Sequence, residues 1–357
     1  MRTLIFPKKS ENPYIKIINN SLNKVGIDTD DIDQLKILQP NSTKYKVINL
    51  NWFENVDTDS QVKSFLLFIR QWLRIESYRI KNIKIIYTFH NIVAHDSKNL
   101  RLNRILINKL CKSSTAIVIL SSISKKYLEK YLDGKDIENK VTFIGHPSYS
   151  HYFNQYKPLP YEEAKKLRLL FFGNVRPYKN IELLLEAARK FQNRDIEFLI
   201  IGKPCDENYK KELISLAEGL DNIKYDFRYI ADDEICRIYQ NCDATIIPLD
   251  IKSSLNSGSI LLSFSLGRTT IAPFIGTLHD FKTDDFYTYQ YSDRDSHLVE
   301  IVAAINQIYQ QWKVDPEILK NKGESLYEQI NQYYSEDIVG NKYLELYNKI
   351  TADNIYD

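Results

Sequence analysis

Cysteine is scarce in this sequence, which contains four cysteines in 357 residues and no C-x-x-C pair. So few thiols in a long chain favour a reducing compartment. Histidine is scarce as well, and none of the six histidines has the H-E-x-x-H spacing or another metal-ligand spacing. We therefore expect neither a disulfide framework nor a metal site.

Long apolar runs are absent, and no stretch approaches the roughly 20 apolar residues that a membrane-spanning helix needs. The N-terminal segment MRTLIFPKK contains too short an apolar run for a signal peptide. The net charge of only +2 argues against a dedicated nucleic-acid binder. Together these features predict a cytoplasmic protein, or one attached peripherally to the inner face of the cell membrane.

The sequence does contain enough apolar residues for a packed core, with 43% hydrophobic and 26% charged residues. Short apolar runs alternate with helical patterns, which predicts parallel sheets covered by helices on both faces. Ten runs are predicted strands, namely 3–6, 46–50, 84–88, 115–120 and 141–144, then 168–173, 196–202, 223–227, 243–248 and 269–272.

At roughly 100–200 residues per domain, the length favours two domains. We predict an α/β fold of two Rossmann-like doubly wound domains, residues 1–155 and 156–334, which face each other across a cleft. A C-terminal helix, 335–357, is expected to pack back towards the first domain. The helical tail is expected to break near Lys322–Gly323.

The charge is unevenly distributed. Residues 1–160 contain 25 Lys and Arg against 14 Asp and Glu, whereas residues 161–357 contain 23 against 32. Much of the positive excess lies in 62–84, where Phe65, Phe68, Ile69 and Trp72 recur at helical spacing among basic residues. This pattern has two interpretations: a basic amphipathic helix on anionic lipid headgroups, or a layer helix whose apolar face packs on the core.

The segment 169–191 has the pattern of a phosphate-binding turn. A buried strand ends at Gly173, a turn with Arg176 and Lys179 follows, and a helix begins. Glycine permits close approach by a ligand, and two cations beside a helix N-terminus can clamp a diphosphate. The two cations could instead be solvated loop charges. A Walker loop is excluded, because G-x-x-x-x-G-K-[ST] is absent.

A second anion-binding candidate is the start of a helix within 251–273. Ser257, Gly258 and Ser259 belong to a run of small and hydroxylated residues there. Free backbone N–H groups with nearby hydroxyl donors favour an anion. The alternative is an ordinary serine cap of the helix.

Taken in order, these segments resemble the nucleotide-sugar half of the GT-B glycosyltransferases, nearest to the family-4-like enzymes (glycosyl transferases group 1). In the first half, INLNWFE and YTFHNIVAHD resemble segments of the acceptor domain of that group. The resemblance spans most of the chain in the right order. In the second half it is carried by FFGNVRPYKN, FLIIGKP, FRYIADDEICRIYQNCDATIIPLD and NSGSILLSFSLGRTTIAP.

The resemblance implies two sets of donor-binding residues. The diphosphate would be held by Arg176, Lys179, Gly173, Ser257, Gly258 and Ser259. The nucleotide pocket would be formed by Gly202, Lys203, Tyr229 and Ile230. The expected donor is a nucleotide diphosphate sugar, with UDP favoured over GDP, and no cofactor is expected.

One departure from the family pattern concerns two glutamates that these enzymes usually carry eight positions apart. The matching positions in this sequence are Ser254 and Leu262. The contact that the second glutamate usually makes with the donor ribose is therefore unassigned, and a retaining mechanism is not implied.

Polar side chains that follow the strand KIIYT are the catalytic candidates. His95 or Asp96 is a candidate base for an acceptor hydroxyl, and His90 is a candidate for orienting the sugars. Each could instead have a structural role, Asp96 as a helix cap. The acceptor-side candidates are Lys8, Lys9, Asn91 and Trp52.

Three D-x-D triplets occur, at Asp28–Asp30, Asp31–Asp33 and Asp57–Asp59. In GT-A transferases such a triplet holds a divalent metal, but here none follows a strong hydrophobic strand. We interpret them as solvated loops and helix caps, and expect cations to take the place of a metal.

The sequence therefore predicts a metal-independent hexosyltransferase that acts on a glycan or lipid-linked acceptor in surface polysaccharide biosynthesis. The alternatives are a nucleotide-sugar epimerase of the same fold and a nucleotide-sugar-binding subunit without activity. A Rossmann oxidoreductase is disfavoured, because no G-x-G-x-x-G follows a predicted strand.

Overall fold

The computed structural model describes residues 1–35, 44–92, 98–161 and 165–352. The chain divides into two compact units, the first formed by Met1–Pro147 with Tyr334–Asp357 and the second by Ser148–Tyr333. Each unit contains a six-stranded sheet in which all neighbouring strands are parallel.

In the first unit the strands are β1 Arg2–Phe6, β2 Asp28–Asp31, β3 Val47–Asn51, β4 Lys84–Phe89, β5 Ala116–Ile119 and β6 Val141–Phe143. Its helices are α1 Pro13–Lys24, α2 Gln61–Ile80, α3 Leu100–Ser113, α4 Ser124–Leu128 and α5 Gly134–Lys140, together with the C-terminal helix Glu336–Ala352.

In the second unit the strands are β7 Leu167–Phe172, β8 Ile196–Ile201, β9 Ile223–Asp226, β10 Ala244–Ile246, β11 Thr269–Pro273 and β12 Tyr287–Tyr289. Its helices are α6 Ile181–Arg189, α7 Glu207–Leu216, α8 Asp232–Gln240, α9 Gly258–Ser265, α10 Arg294–Val314 and α11 Glu317–Tyr334. The C-terminal helix Glu336–Ala352 is α12.

The first sheet has the strand order β2-β1-β3-β4-β5-β6. Its central strands are runs of isoleucine, valine and leucine that are buried on both faces, as expected for a parallel sheet. Residues of α1 and α12 share a core with one face of the sheet. Helices α2 and α3 pack against each other and against β4.

Helix α12 packs on α1, although more than 300 residues separate them. Gly340 makes the close approach possible, since a Cβ there would lie 2.7 Å from the carbonyl oxygen of Ser21. Lys24 forms ion pairs with Glu336 at 2.7 Å and with Asp337 at 3.0 Å. The C-terminal segment is therefore part of the first unit's core.

The second sheet has the strand order β12-β11-β10-β7-β8-β9. Its core contains the apolar faces of α6 and α10 together with β7 and β8. The carboxyl ends of β10, β7 and β8 are neighbours at one edge of the sheet, where ligands of open α/β sheets bind.

All ten predicted strands are present, and two short edge strands were not predicted. One of them, β2, contains Asp28–Asp30, so the loop interpretation of that triplet is wrong. Aspartate disfavours strands, and β2 forms because it pairs with β1. The capping interpretation is confirmed for Asp31, whose side chain accepts from Asp33 N at the start of a short 3-10 helix. Asp57 instead accepts from Asn99 N ahead of α3 and is not the N-cap residue of a helix.

The predicted break near Lys322–Gly323 is wrong, because both residues lie inside α11. A Cβ on Gly323 would lie 2.2 Å from the carbonyl oxygen of Gly267. The glycine therefore lets the helix approach the turn after α9 and does not end the helix. In the described residues, no helix combines the length and the apolar character needed to cross a bilayer.

Candidate functional site

The carboxyl ends of β7 and β8 meet at two glycines. Gly173 has φ 133° and Gly202 has φ 146°. A Cβ on Gly202 would lie 1.8 Å from the Gly173 carbonyl oxygen, so a side chain cannot be accommodated there. Two backbone hydrogen bonds join the turn after β7 to the turn after β8. Val175 N donates to the Lys203 carbonyl at 2.9 Å, and Cys205 N donates to the Val175 carbonyl at 3.0 Å.

The turn after β7 also lies against the start of α9. The Ser259 Oγ atom is 3.5 Å from the position that a Cβ on Gly173 would occupy. The turn after β7 and the start of α9, the two segments predicted to bind an anion, thus lie side by side, although about 85 residues separate them.

Lys179 ends a short 3-10 helix, Pro177–Lys179, that follows this turn. Its half-buried ammonium lies 5.4 Å from the centroid of the Tyr178 ring. Burial lowers the pKa of Lys179 from its ordinary value to about 8. Among the described residues, no hydrogen-bond acceptor or carboxylate pairs with this ammonium. A partly dehydrated cation of this kind favours an anionic ligand.

Asn180 fixes the Lys179 turn in place. It adopts the left-handed conformation at φ 50°, which asparagine tolerates better than most residues, and stands at the N-cap position of α6. Its Nδ2 atom donates to the Pro248 carbonyl at 2.7 Å. In addition, Asp250 N donates to the Tyr178 carbonyl at 3.2 Å. The signal for Asn180 in the sequence is an asparagine directly before the helical run, which does not by itself indicate this role.

Ser257 is the N-cap of α9, because its side chain accepts a hydrogen bond from Ile260 N at 3.4 Å. Its own N–H donates to Thr277 Oγ1 at 2.9 Å. The Ser257 hydroxyl therefore has the ordinary capping role. The backbone N–H groups of Gly258 and Ser259 have no acceptor among the described residues, and they remain for an anion.

Tyr149 lies beside the start of α9. A Cβ on Gly258 would lie 2.8 Å from the Tyr149 hydroxyl oxygen. Burial raises the pKa of Tyr149 above its ordinary value, so the hydroxyl stays protonated and can donate. No sequence signal connected this tyrosine with Gly258.

The proposed nucleotide pocket residues differ in exposure. Lys203 is exposed, Tyr229 is 65% exposed and Ile230 is buried. The loop that carries Tyr229 and Ile230 is fixed by Arg228, which bonds to Asp226 at 3.0 Å and to both oxygens of the Glu234 carboxylate. The exposed phenol ring offers a surface on which a base can stack.

In the first unit, His90 belongs to a cluster of rings at the carboxyl ends of β3 and β4. The His90 ring stacks on Trp52 at 3.9 Å, and Tyr14 packs edge-on against His90 at 5.0 Å. Trp52 has φ 49°, a conformation that is strained for a bulky residue and that recurs at ligand sites. The His146 ring also lies 5.0 Å from the Tyr14 ring.

His90 is buried and neutral at physiological pH. Burial and the nearby His146 lower the pKa of His90 well below its ordinary value, and burial lowers that of His146 to about 4. The His90 Nε2 atom is 3.1 Å from Asn51 Oδ1, an atom that can only accept, so His90 carries its proton on Nε2. Asn51 thereby sets the orientation of the ring, a role that no motif in the sequence indicated.

The other first-unit candidates are dispersed. The Lys8 ammonium donates to the carbonyl and the hydroxyl oxygen of Thr29 in β2, whereas Lys9 is exposed. Asn91 is half-buried, and its Oδ1 atom has no hydrogen-bond partner among the described residues. His95 and Asp96 lie outside the described residues.

A cavity of about 560 Å³ in the second unit is lined in part by Pro177 and Asn180. Four carboxylates line it against one lysine and one arginine, so its charge disfavours a diphosphate. The charged lining residues are Glu182, Glu212, Asp250, Asp293, Lys252 and Arg294. This cavity is therefore a poor candidate for an anion site.

Residues 154–252 match the family described as glycosyl transferases group 1. A curated relative from Xanthomonas campestris pv. campestris, a GDP-mannose:glycolipid 4-beta-D-mannosyltransferase, is 23% identical over 272 residues. The match covers 75% of this chain and 71% of the relative.

Solved structures share the fold of the whole chain. A sucrose-phosphate synthase from Thermosynechococcus elongatus superposes with a TM-score of 0.72 at 14% identity, covering 99% of both chains. HepE from Anabaena, in complex with UDP and glucose, gives 0.68 at 13% identity and covers 98% of this chain and 100% of HepE. This chain is a glycosyltransferase of the GT-B fold.

In this glycosyltransferase neither position of the usual glutamate pair carries a carboxylate. Ser254 is buried, and its hydroxyl has no hydrogen-bond partner among the described residues. Leu262 is 8% exposed and contributes to the apolar side of α9. The family match covers residues 154–252 and includes neither position. The missing glutamate pair is consistent with a divergent member of the family.

Proposed function

We propose that this glycosyltransferase moves a hexose from a nucleotide diphosphate sugar to a glycan or lipid-linked acceptor, without a metal. The donor diphosphate binds at Lys179 and the start of α9 in the second unit. The observation that carries the proposal is the half-buried Lys179 ammonium, whose pKa is lowered and which has no anionic partner among the described residues.

Sugar transfer leaves negative charge on the departing diphosphate, and groups that stabilise this charge lower the barrier. Lys179 supplies one positive charge, and Arg176 supplies a second at the exposed start of the same 3-10 turn. The N–H groups of Gly258 and Ser259 supply hydrogen bonds at the positive end of α9. These groups together do the work that a divalent metal does in other transferases.

The acceptor binds at the first unit in this proposal. The Trp52–His90 stack offers an aromatic surface for a sugar, and the acceptor base is His95 or Asp96. The name of the Xanthomonas relative specifies a glycolipid acceptor, which supports a lipid-linked acceptor here. Such an acceptor places the enzyme at the inner face of the cell membrane, in the assembly of a surface polysaccharide.

Uridine and guanosine are the two candidate bases of the donor nucleotide. Uridine is the expectation from the sequence, and HepE has been solved with UDP. The name of the Xanthomonas relative specifies GDP-mannose. We propose a nucleoside diphosphate hexose, and a calorimetric titration with UDP and GDP, with and without EDTA, ranks the two bases and tests metal independence.

The decisive test is the affinity of Lys179→Met for the better of the two nucleotides. We expect about tenfold weaker binding or more, because a charge-assisted contact to phosphate is lost. Lys190→Met, which removes an exposed lysine at the opposite end of α6, is the control and is expected to bind normally. Unchanged affinity of Lys179→Met would remove the diphosphate from this site.

Product analysis separates transfer from isomerisation. With the donor sugar and a membrane lipid extract as acceptor source, we expect a glycosylated lipid and a free nucleoside diphosphate. Incubation with the donor alone is the control. Accumulation of an isomerised nucleotide sugar in that control would favour an epimerase over a transferase.

A further inference from the structure

Helix α2 is turned with much of its apolar side towards solvent. Ser64, Gln71, Arg74 and Ser77 are buried, although they are polar. Ile75 and Tyr78 are buried as well, and α2 packs on β4, so the layer interpretation of 62–84 holds for part of the helix. The other large apolar side chains are not buried as that interpretation requires. Among its apolar residues, those exposed by 38% to 82% are Val62, Phe65, Leu66, Ile69, Leu73 and Ile80.

Helix α3 lies beside α2 and extends the same surface. The Asn99 Nδ2 atom before α3 donates to Ser64 Oγ at 3.1 Å, and the Lys109 ammonium lies 4.8 Å from the centroid of the Trp72 ring. Leu100 and Ile105 of α3 are 42% and 38% exposed. We call the exposed side of these two helices the α2–α3 face. This face carries exposed apolar side chains from two packed helices.

The segments that carry the α2–α3 face have a large excess of positive charge. Residues 57–81 and 98–113 contain ten Lys and Arg against three Asp and Glu. Asp33 adds one more carboxylate, which pairs with Arg74 at 2.6 Å. Six positive charges therefore remain without a compensating carboxylate. Arg70 and Arg79 are exposed but pair with Asp33 at 3.8 Å and with Glu76 at 2.8 Å. Arg101, Arg104 and Lys112 of α3 are also exposed.

We propose that the α2–α3 face docks on an anionic lipid bilayer, a choice that rests on the proposed lipid-linked acceptor. Side chains such as Phe65 and Leu66 enter the boundary between headgroups and acyl chains, and the exposed arginines and lysines of the face contact anionic headgroups. The face thereby holds the enzyme at the surface where a lipid-linked acceptor resides.

Charge complementarity selects this occupant over a second copy of the chain. A two-fold dimer would place the same basic face against itself, and like charges brought together oppose association. A bilayer that contains anionic lipid offers both the apolar phase and the opposite charge. The exposed apolar side chains also argue against a nucleic acid as the partner, because a surface that binds phosphates is mainly polar and basic.

The test is sedimentation of the full chain with vesicles of phosphatidylcholine that contain about 30% phosphatidylglycerol, compared with pure phosphatidylcholine vesicles. The variant Phe65→Gln/Leu66→Gln/Leu73→Gln is expected to lose most binding, at least about tenfold in the partition coefficient. Val299→Gln/Val314→Gln, which changes exposed apolar residues of α10, is the matched control and is expected to bind like the wild type.

The electrostatic part is tested with Arg101→Gln/Arg104→Gln/Lys112→Gln. We expect binding to the anionic vesicles to fall by about fivefold for each charge near the surface, and to weaken with salt in the wild type. Equal binding of both triple variants and the wild type would overturn the proposal. So would a concentration-dependent dimer, measured by analytical ultracentrifugation, that the Phe65/Leu66/Leu73 variant abolishes.

Affinity for the soluble nucleoside diphosphate, measured on the same samples, separates this proposal from the proposed function. Normal vesicle binding with no sugar transfer to any lipid acceptor would overturn the function and leave the docking face standing. Normal transfer to a lipid acceptor in detergent, with no binding of the wild type to anionic vesicles, would overturn the docking face alone.

Discussion

The carbonyl oxygen of Gly173 occupies the space that a Cβ on Gly202 would need, since the two would be 1.8 Å apart. This contact sets the distance between the turns after β7 and β8. It brings the Lys179 turn and the proposed nucleotide pocket to the same edge of the sheet. The close approach of two backbones, more than any single side chain, gives the donor site its shape.

Replacing Gly202 with alanine is expected to displace the Gly173 turn. Gly202→Ala should lower the free energy of unfolding by about 3 kcal/mol or more, because backbone atoms must move, and it should weaken nucleotide binding. Gly219→Ala is the control, since Gly219 also has a positive φ (74°) but open space around its Cα. Its cost should be about 1–2 kcal/mol. Equal losses in urea unfolding would show that the contact is unimportant.

Nucleotide binding should depend on pH through Lys179. The ammonium titrates near pH 8 in the free protein, and a bound diphosphate raises that pKa. Binding should therefore take up a proton above about pH 8, and affinity should fall with rising pH by up to about tenfold per unit. Calorimetry at about pH 9 in two buffers of different ionisation enthalpy measures this uptake.

Two variants assign the proton uptake to its residue. Lys179→Met should bind weakly and without this uptake, whereas Lys190→Met should behave like the wild type. If Lys179→Met takes up the same number of protons as the wild type, another group is responsible for the pH dependence.

The buried carboxyl of Glu54 should make stability depend on pH. Burial raises the pKa of Glu54 to about 7 from an ordinary value of 4.5. The folded state then holds a proton that the unfolded state releases, so stability should fall as pH rises from about 4.5 to 7, by roughly 3 kcal/mol at most. Urea unfolding of wild type and Glu54→Gln at each pH isolates this contribution, because the other titrating groups cancel.

We expect Glu54→Gln to be the more stable protein at about pH 8 and to lose this advantage at about pH 5. The amide keeps the size of the carboxyl without its charge. A difference in stability that stays constant from pH 5 to pH 8 would contradict the assignment of a raised pKa to Glu54.

Arg268 should be a major contributor to the stability of the second unit. Its side chain is 2% exposed and donates to five backbone carbonyls. These belong to Tyr239, Cys242, Leu159, Gly267 and Pro160, at 2.7 to 3.0 Å. Arg268→Met should cost about 3 kcal/mol or more, because buried acceptors lose their donor. The control Arg189→Met removes one exposed bond to a carbonyl and should cost under about 1 kcal/mol. Similar midpoints of urea unfolding for both variants would refute this role.

Much of the fold could be predicted from the sequence, because buried parallel strands are runs of apolar residues. The ten predicted strands lie in two parallel sheets, as expected. The missed strands β2 and β12 lie at the sheet edges, where pairing with one neighbour suffices. Three of the four residues of β2, DTDD, are aspartates, which are depleted in strands, so only its pairing with β1 reveals it.

The site was predictable in part. Glycine and basic residues after a buried strand indicated the Lys179 turn. The sequence did not show that Ser257 is a cap, because a serine at a helix start fits both a cap and an anion site. It also did not show Asn180 or Tyr149, whose roles depend on contacts with Pro248 and Gly258.

The sequence by itself determined the order of strands and helices and the chemistry available at each turn, because periodicity and residue type are local properties. Only the tertiary structure decided which side of α2 meets solvent, how deeply Lys179 is buried, and that α12 joins the core of the first unit. Burial depends on neighbours that are distant in sequence, and the pKa of Lys179 and the exposure of Phe65 both follow from burial.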